Sequence, residues 1–291
     1  MNKIKNKNEF IQHIQSKQDS FTSTYRRLAN YAINNFVDIA FMRAQQWGAE
    51  VETSEVSVIR FVRFLGYKGY PEFSENIQQI IRNEMTMTKY TEISVKSNRT
   101  GTNILMDIIK AEDRNFNELI AKYSPQVMSD VIDLLGKTER VVVIGLRSSA
   151  PLADYCSYMF MRALSKEVIT INSGGAHTFD SFLPWEGKEV VVIVFGYPRY
   201  PARTLEIVEY VRNLKWPIIS ITNDELSPCV PLSDYVIYAP SHSVAFTDSM
   251  GSASVVINTI VMEYISKFHD KSIDRIKRFE ELAREKQYYW K

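Results

Sequence analysis

The chain has 291 residues, 45% of them apolar and 24% charged, and a net charge of +1 at pH 7. That is ordinary globular composition, sized for about two domains of roughly 100–200 residues each, and the balanced charge excludes a protein that coats polyanions. No apolar run reaches the roughly 20 residues needed to span a bilayer, and no apolar stretch follows the basic start "MNKIKNKNEF", so neither a membrane span nor a signal peptide is expected and the expected compartment is the cytoplasm.

Charge is uneven along the chain. Residues 1–90 hold 12 Lys and Arg against 9 Asp and Glu, a mildly basic start compatible with nucleic-acid contact. In "TSTYRRLANYAINN", Tyr25, Leu28, Tyr31 and Ala32 recur at helical spacing, with Thr22 or Ser23 as N-cap. A short helix with Ala44, Trp47 and Gly48 on one face follows, and "ETS" breaks it. "SEVSVIRFVRFLG" is the next helix, with Ser54 as cap, Val58, Ile59, Phe61, Val62 and Leu65 inward or partly so, and Gly66 as the stop. The expectation is a bundle of three short helices with a tight turn. Residues 83–101 are polar and weakly periodic and read as a linker between a first domain, 1–82, and a second, 102–291. The second opens with two amphipathic helices split by Pro125.

From Arg140 the texture changes. "VVVIG", "EVITIN", "EVVVIVFG", "PIISITN" and "YVIYAP" are short β-rich runs, and helical patterns over 149–164, 201–214 and 248–268 lie among and after them. This predicts an α/β domain, a five-stranded parallel sheet between two helical layers, closed by a charged last helix in "SIDRIKRFEELAREKQYYW". Ligands of such sheets sit beyond the carboxyl ends of the strands, here residues 145–149, 172–175 and 196–203.

The first of these turns, "GLRSSAPLA", has one glycine where a dinucleotide loop needs three, and Arg147 would obstruct a pyrophosphate. A small anion needs less: N–H groups at a helix start, the hydroxyls of Ser148 and Ser149, and a counter-charge from Arg147, Arg199 or Arg203. The bland alternative is that the serines only cap the helix and the arginines pair with carboxylates across a subunit interface. Asn172 and Ser173 stand at the second strand end. Tyr197 and Tyr200 either flank a sugar ring or simply pack. Cys156, Cys229 and the four histidines show no metal spacing, so no metal and no cofactor is expected.

"SEVSVIRFVRFLGYKGYPEF", "VVVIGLRSSAPLA", "VVVIVFGYPRYPARTLE" and "PIISITNDELSPCVPLSDYVI", in this order, resemble the RpiR/MurR transcriptional regulators over nearly the whole chain. The resemblance implies an all-α helix-turn-helix domain, a C-terminal sugar isomerase (SIS) domain that binds a small metabolite, and a homodimer or homotetramer on double-stranded operator DNA. It places Ser54, Glu55, Ser57, Val58, Arg60 and Arg63 on the recognition helix, with Lys68 and Tyr70 as phosphate contacts just beyond. Two departures stand out. Glu52 occupies the place of the usual turn glycine. Where sugar-phosphate-binding relatives read S-x-S-G-x-T after the third strand, this chain has Gly196, Pro198, Arg199 and Pro201 at the serine, glycine and first threonine positions. The effector is then an anionic metabolite, a sugar phosphate or sugar acid, and the chain regulates a sugar or sugar-acid catabolic operon. The rival is a sugar-phosphate isomerase, which needs a carboxylate base; His177 with Asp180, Glu186 and Asp248 are on offer without a recognisable constellation.

Overall fold

The computed structural model describes residue 4 and residues 6–84, 103–164, 166–244 and 247–289. They belong to two compact units, Met1–Met106 and Asp107–Lys291. The expected linker lies outside the described residues beyond its first two positions.

The first unit is helical: α1 (Lys7–Gln15), α2 (Ser23–Asn34), α3 (Phe36–Phe41), α4 (Ala44–Glu50), α5 (Glu55–Phe64) and α6 (Tyr70–Glu84). Six helices among the described residues replace the expected three. The additional ones, α1, α3 and α6, bring Phe10, Ile14, Phe36, Ile39, Phe73 and Ile77 into the core, all buried. Three short helices alone would bury too little apolar surface to be stable. Trp47 is the hub. It stacks on Phe73 at 5.3 Å and meets Phe61 edge-on at 6.0 Å. Thr22 caps α2 and Ser54 caps α5, each side chain accepting from a backbone N–H three residues on.

The α4–α5 turn explains how Glu52 replaces the expected glycine. Glu52 takes the left-handed conformation itself, at φ +53°. The glycine that the turn requires is Gly48. Thr53 donates its N–H to the Gly48 carbonyl at 2.8 Å, and a Cβ on Gly48 would lie 2.8 Å from the Thr53 carbonyl oxygen. Gly66, at φ +105°, ends α5 as the sequence predicts.

The second unit begins with α7 (Ile104–Lys122, whose first turn precedes the unit boundary) and α8 (Pro125–Lys137). Then come β1 (Arg140–Ile144), α9 (Ala150–Ala163), β2 (Glu167–Ile171), β3 (Val190–Gly196), α10 (Ala202–Asn213), β4 (Ile218–Thr222), β5 (Tyr235–Tyr238), α11 (Gly251–Lys267) and α12 (His269–Glu285). The five strands are all parallel in the order β2-β1-β3-β4-β5. Every residue of β3 and β4 is buried, because helices cover both faces of the sheet. Val141, Val143, Val191, Ile193, Ile219 and Ile221 face α8, α9 and α11, whereas Val142, Ile144, Val192, Val194 and Ile218 pack with Ile207, Val208 and Val211 of α10. Each fully buried aliphatic side chain contributes about 1.5–3 kcal/mol. The strand order reverses between β1 and β3, which puts the ligand crevice of such a sheet beyond their carboxyl ends.

Candidate functional site

In the first unit the candidate surface is the outer face of α5. Ser54 accepts from the Ser57 N–H at 3.2 Å and its hydroxyl meets that of Ser57 at 3.0 Å, which fixes the start of the helix. Ser54, Glu55, Arg60 and Arg63 are exposed, Ser57 is half-buried, and Lys68 is exposed just past the helix. The Arg63 Nε donates to the Lys68 backbone carbonyl at 3.2 Å, which ties the end of α5 to the loop that follows it. Two expected contacts fail. Val58 is wholly buried in the core, because it shares the inner stripe of α5 with Phe61, Val62 and Leu65. Tyr70 is half-buried; its ring packs on Trp47 and Phe73 and its hydroxyl donates to the Met42 carbonyl at 2.9 Å. Burial pushes the Tyr70 hydroxyl well above its ordinary range, so it stays neutral and structural. Sequence reasoning passed over Val56, which is 55% exposed. Four residues before Arg60 and seven before Arg63, it shares their helix face, a signal readable at 100° per residue.

In the second unit the candidate crevice lies beyond β1 and β3. Gly145 lets the chain turn sharply: a Cβ there would lie 2.5 Å from the Ser149 carbonyl oxygen. A short 3-10 turn, Arg147–Ser149, leads into α9. Ser149 is buried and is the N-cap residue, but makes no side-chain cap bond, so capping does not explain its presence there. Ser148 and Arg147 are exposed. Arg147 has φ +57°, and Arg199, exposed at the end of β3, has φ +69°. Two non-glycine residues in the left-handed region, both arginines, thus follow the two strands flanking the reversal of the sheet.

Other expected crevice residues are already engaged. Tyr197 is buried in the core and its hydroxyl donates to the Ala239 carbonyl at 3.2 Å, so it packs rather than flanking a ligand; burial pushes its hydroxyl far up. The Tyr200 hydroxyl donates to Asn223 Oδ1 at 2.8 Å. Arg203 pairs with Glu206 at 2.8 Å, stacks on Phe179 at 4.6 Å and reaches the Gly175 carbonyl at 3.4 Å. It therefore braces the loop after β2 within the chain. Asn172 is exposed and donates to Asp154 at 2.8 Å, and Ser173 is exposed. The carboxylates an isomerase would draw on are dispersed: Asp180 and Glu186 follow β2 and Asp248 follows β5, the opposite edges of the sheet.

The comparisons with known proteins agree with this architecture. Residues 8–84 match the helix-turn-helix domain of the rpiR family, and residues 134–263 match the SIS domain. No curated protein sequence matches the chain. Among solved structures, the sugar isomerase domain of an RpiR transcription factor from Sphaerobacter thermophilus is 16% identical, with a TM-score of 0.58 over 62% of this chain and 99% of that one. The Vibrio vulnificus NanR protein complexed with ManNAc-6P is 18% identical, with a TM-score of 0.56 over 94% of this chain and 97% of that one. At such identities these likenesses speak for the fold. The two family matches, in this order along one chain, identify its parts: a helix-turn-helix domain of the rpiR family followed by a SIS domain.

Proposed function

We propose that this regulator binds double-stranded operator DNA through α5 and controls a sugar or sugar-acid catabolic operon, in response to a small anionic metabolite held beyond β1 and β3. The observation that carries the effector reading is the pair Arg147 and Arg199. An L-residue in the left-handed region costs about 1–2 kcal/mol, and such outliers concentrate where a ligand is gripped. Both point to an anion between the ends of adjacent strands, with the Ser149 hydroxyl and the α9 start adding donors. The Vibrio neighbour, complexed with a sugar phosphate, supports the choice of ligand class. Ser54, Glu55, Val56, Ser57, Arg60 and Arg63 face the bases, with Lys68 on a phosphate. Among the described residues no helix is long and apolar enough to cross a membrane, and a cytoplasmic location fits an operator-binding protein.

The exposed apolar face of α7, with Ile109, Phe116 and Ile120, supports a second copy as partner. Two recognition helices on a palindromic site stand about 34 Å apart. No isomerase activity belongs to this reading, since the carboxylates leave from opposite edges of the sheet. The domains divide at 1–82 and 102–291, with 83–101 between. The test is fluorescence anisotropy of the full chain on DNA from upstream of its own gene, after a thermal-shift screen of sugar phosphates and sugar acids. Saturable, sequence-specific binding altered by a screened anion is expected; equal affinity for random DNA would overturn the reading.

A further inference from the structure

Helix α7 carries a polar stripe opposite its exposed apolar face. Glu112, Asn115 and Glu118, three residues apart in succession, all meet the segment between β5 and α11. Asn115 is completely buried; its Nδ2 donates to the His242 carbonyl at 2.8 Å and its Oδ1 accepts from the His242 N–H at 2.8 Å. A carboxylate oxygen of Glu118 lies 3.3 Å from the His242 Nε2. Glu112 accepts from the Ser249 hydroxyl at 2.5 Å, and Asn115 Nδ2 lies 3.3 Å from its other oxygen.

The Glu112 carboxylate sits at the start of α11, a helix of 17 residues whose N-cap, Met250, supplies no side-chain cap. The Gly251 N–H donates to Ser249 Oγ at 3.0 Å, and a Cβ on Gly251 would lie 2.6 Å from Glu112 Oε2. Glycine is therefore what lets this carboxylate dock, and the helix dipole favours its charge there. The same β5–α11 segment begins at Ala239, whose carbonyl accepts from Tyr197. Tyr197 is two residues from Arg199. The crevice turn, through Tyr197, and α7, through Glu112 and Asn115, are thus each hydrogen-bonded to the β5–α11 segment, and α7 is the helix that follows residues 85–102 and the DNA-binding unit in the chain. Leu119 alone of this helix enters the apolar core, so the turns before it, held by the polar stripe, can be released while that anchor stays.

We propose that the Glu112–Ser249 contact is a latch through which occupancy of the crevice reaches the DNA-binding unit: effector binding shifts the β5–α11 segment, frees Glu112 and releases the first turns of α7. The latch rests on the effector reading above. It requires only that the effector bind the released arrangement more tightly than the latched one, and coupling to DNA is then reciprocal.

The test is hydrogen exchange and anisotropy on the full chain, comparing the parent with Glu112→Gln, Ser249→Ala and, as a control for charge on the same helix, the exposed Asp113→Asn. Without added ligand, Glu112→Gln and Ser249→Ala are expected to speed exchange of the amides over 104–116 at least ten-fold and to change affinity for the upstream DNA at least three-fold. Asp113→Asn should do neither. Unchanged exchange in both latch variants overturns the proposal, as does faster exchange with unaltered DNA affinity, or an equal effect of Asp113→Asn. Should Glu112→Gln fail to fold, Ser249→Ala decides on the same two readouts. If the parent itself shows no specific DNA binding, the regulator reading fails and takes the latch's regulatory role with it. A parent that binds and variants that match it sink the latch alone.

Discussion

The left-handed arginines make a test that reads backbone strain and function separately. Consider Arg199→Gly and Arg199→Ala, with φ at +69° in the parent. Both variants lose the guanidinium and whatever it touches, so that loss cancels in their comparison. Alanine retains the left-handed penalty of about 1–2 kcal/mol, which glycine lacks. Glycine carries an extra unfolded-state entropy cost of about 0.5–1 kcal/mol. The glycine variant should therefore exceed the alanine variant in stability by roughly 0.5–1 kcal/mol, a Tm difference of about 1–4 °C for a unit of this size. Calorimetry of the full chain, following the transition of the second unit, reads this directly. Titration of a screened anion against the operator complex reads the other half, and both variants should lose most of the response. Equal Tm values for glycine and alanine would refute the backbone argument. A parental effector response in either variant would refute the assignment of Arg199 to the anion.

Four further outcomes are expected. Arg60→Ala with Arg63→Ala abolishes specific operator binding at matched salt while circular dichroism stays parental, since each lost base contact costs about 1–3 kcal/mol and both side chains are exposed. Gly48→Ala lowers the melting temperature of the first unit, because the new methyl group would sit 2.8 Å from a backbone oxygen; overpacking of this kind costs about 1–3 kcal/mol, and an unchanged transition would remove Gly48 from the turn argument. Ser149→Ala weakens the effector response by about 1–3 kcal/mol in the same titration and leaves effector-free DNA affinity as in the parent. Burial pushes the Cys229 thiol up to about 11 and the Cys156 thiol further, so both remain protonated well above neutral pH. Neither should react with a thiol reagent at pH 8 until the chain is denatured; rapid labelling of the native protein would contradict the packing around them.

Much of the architecture could be read from the chain alone, because it follows from short-range patterns. The β-branched runs at 141–144 and 190–194 admit no polar face, so they had to be strands buried on both sides, and the helical patterns around them demanded a parallel sheet. Ser54, Gly66 and Pro125 act on backbone within a few residues of themselves, and each does what its local chemistry dictates. What the sequence did not determine is which way individual side chains face and what they touch. Tyr70 and Tyr197 carry hydroxyls able to reach a ligand, yet each is taken by a carbonyl 28 or 42 residues away along the chain. Arg203 stacks on Phe179 and reaches the Gly175 carbonyl, both on the loop after β2. Glu112 and Ser249 lie 137 positions apart, and no local periodicity marks them as partners. Propensity and periodicity act over one turn or one strand, whereas a hydrogen-bond partner is set by how whole elements stack, and that is decided only when the tertiary structure forms.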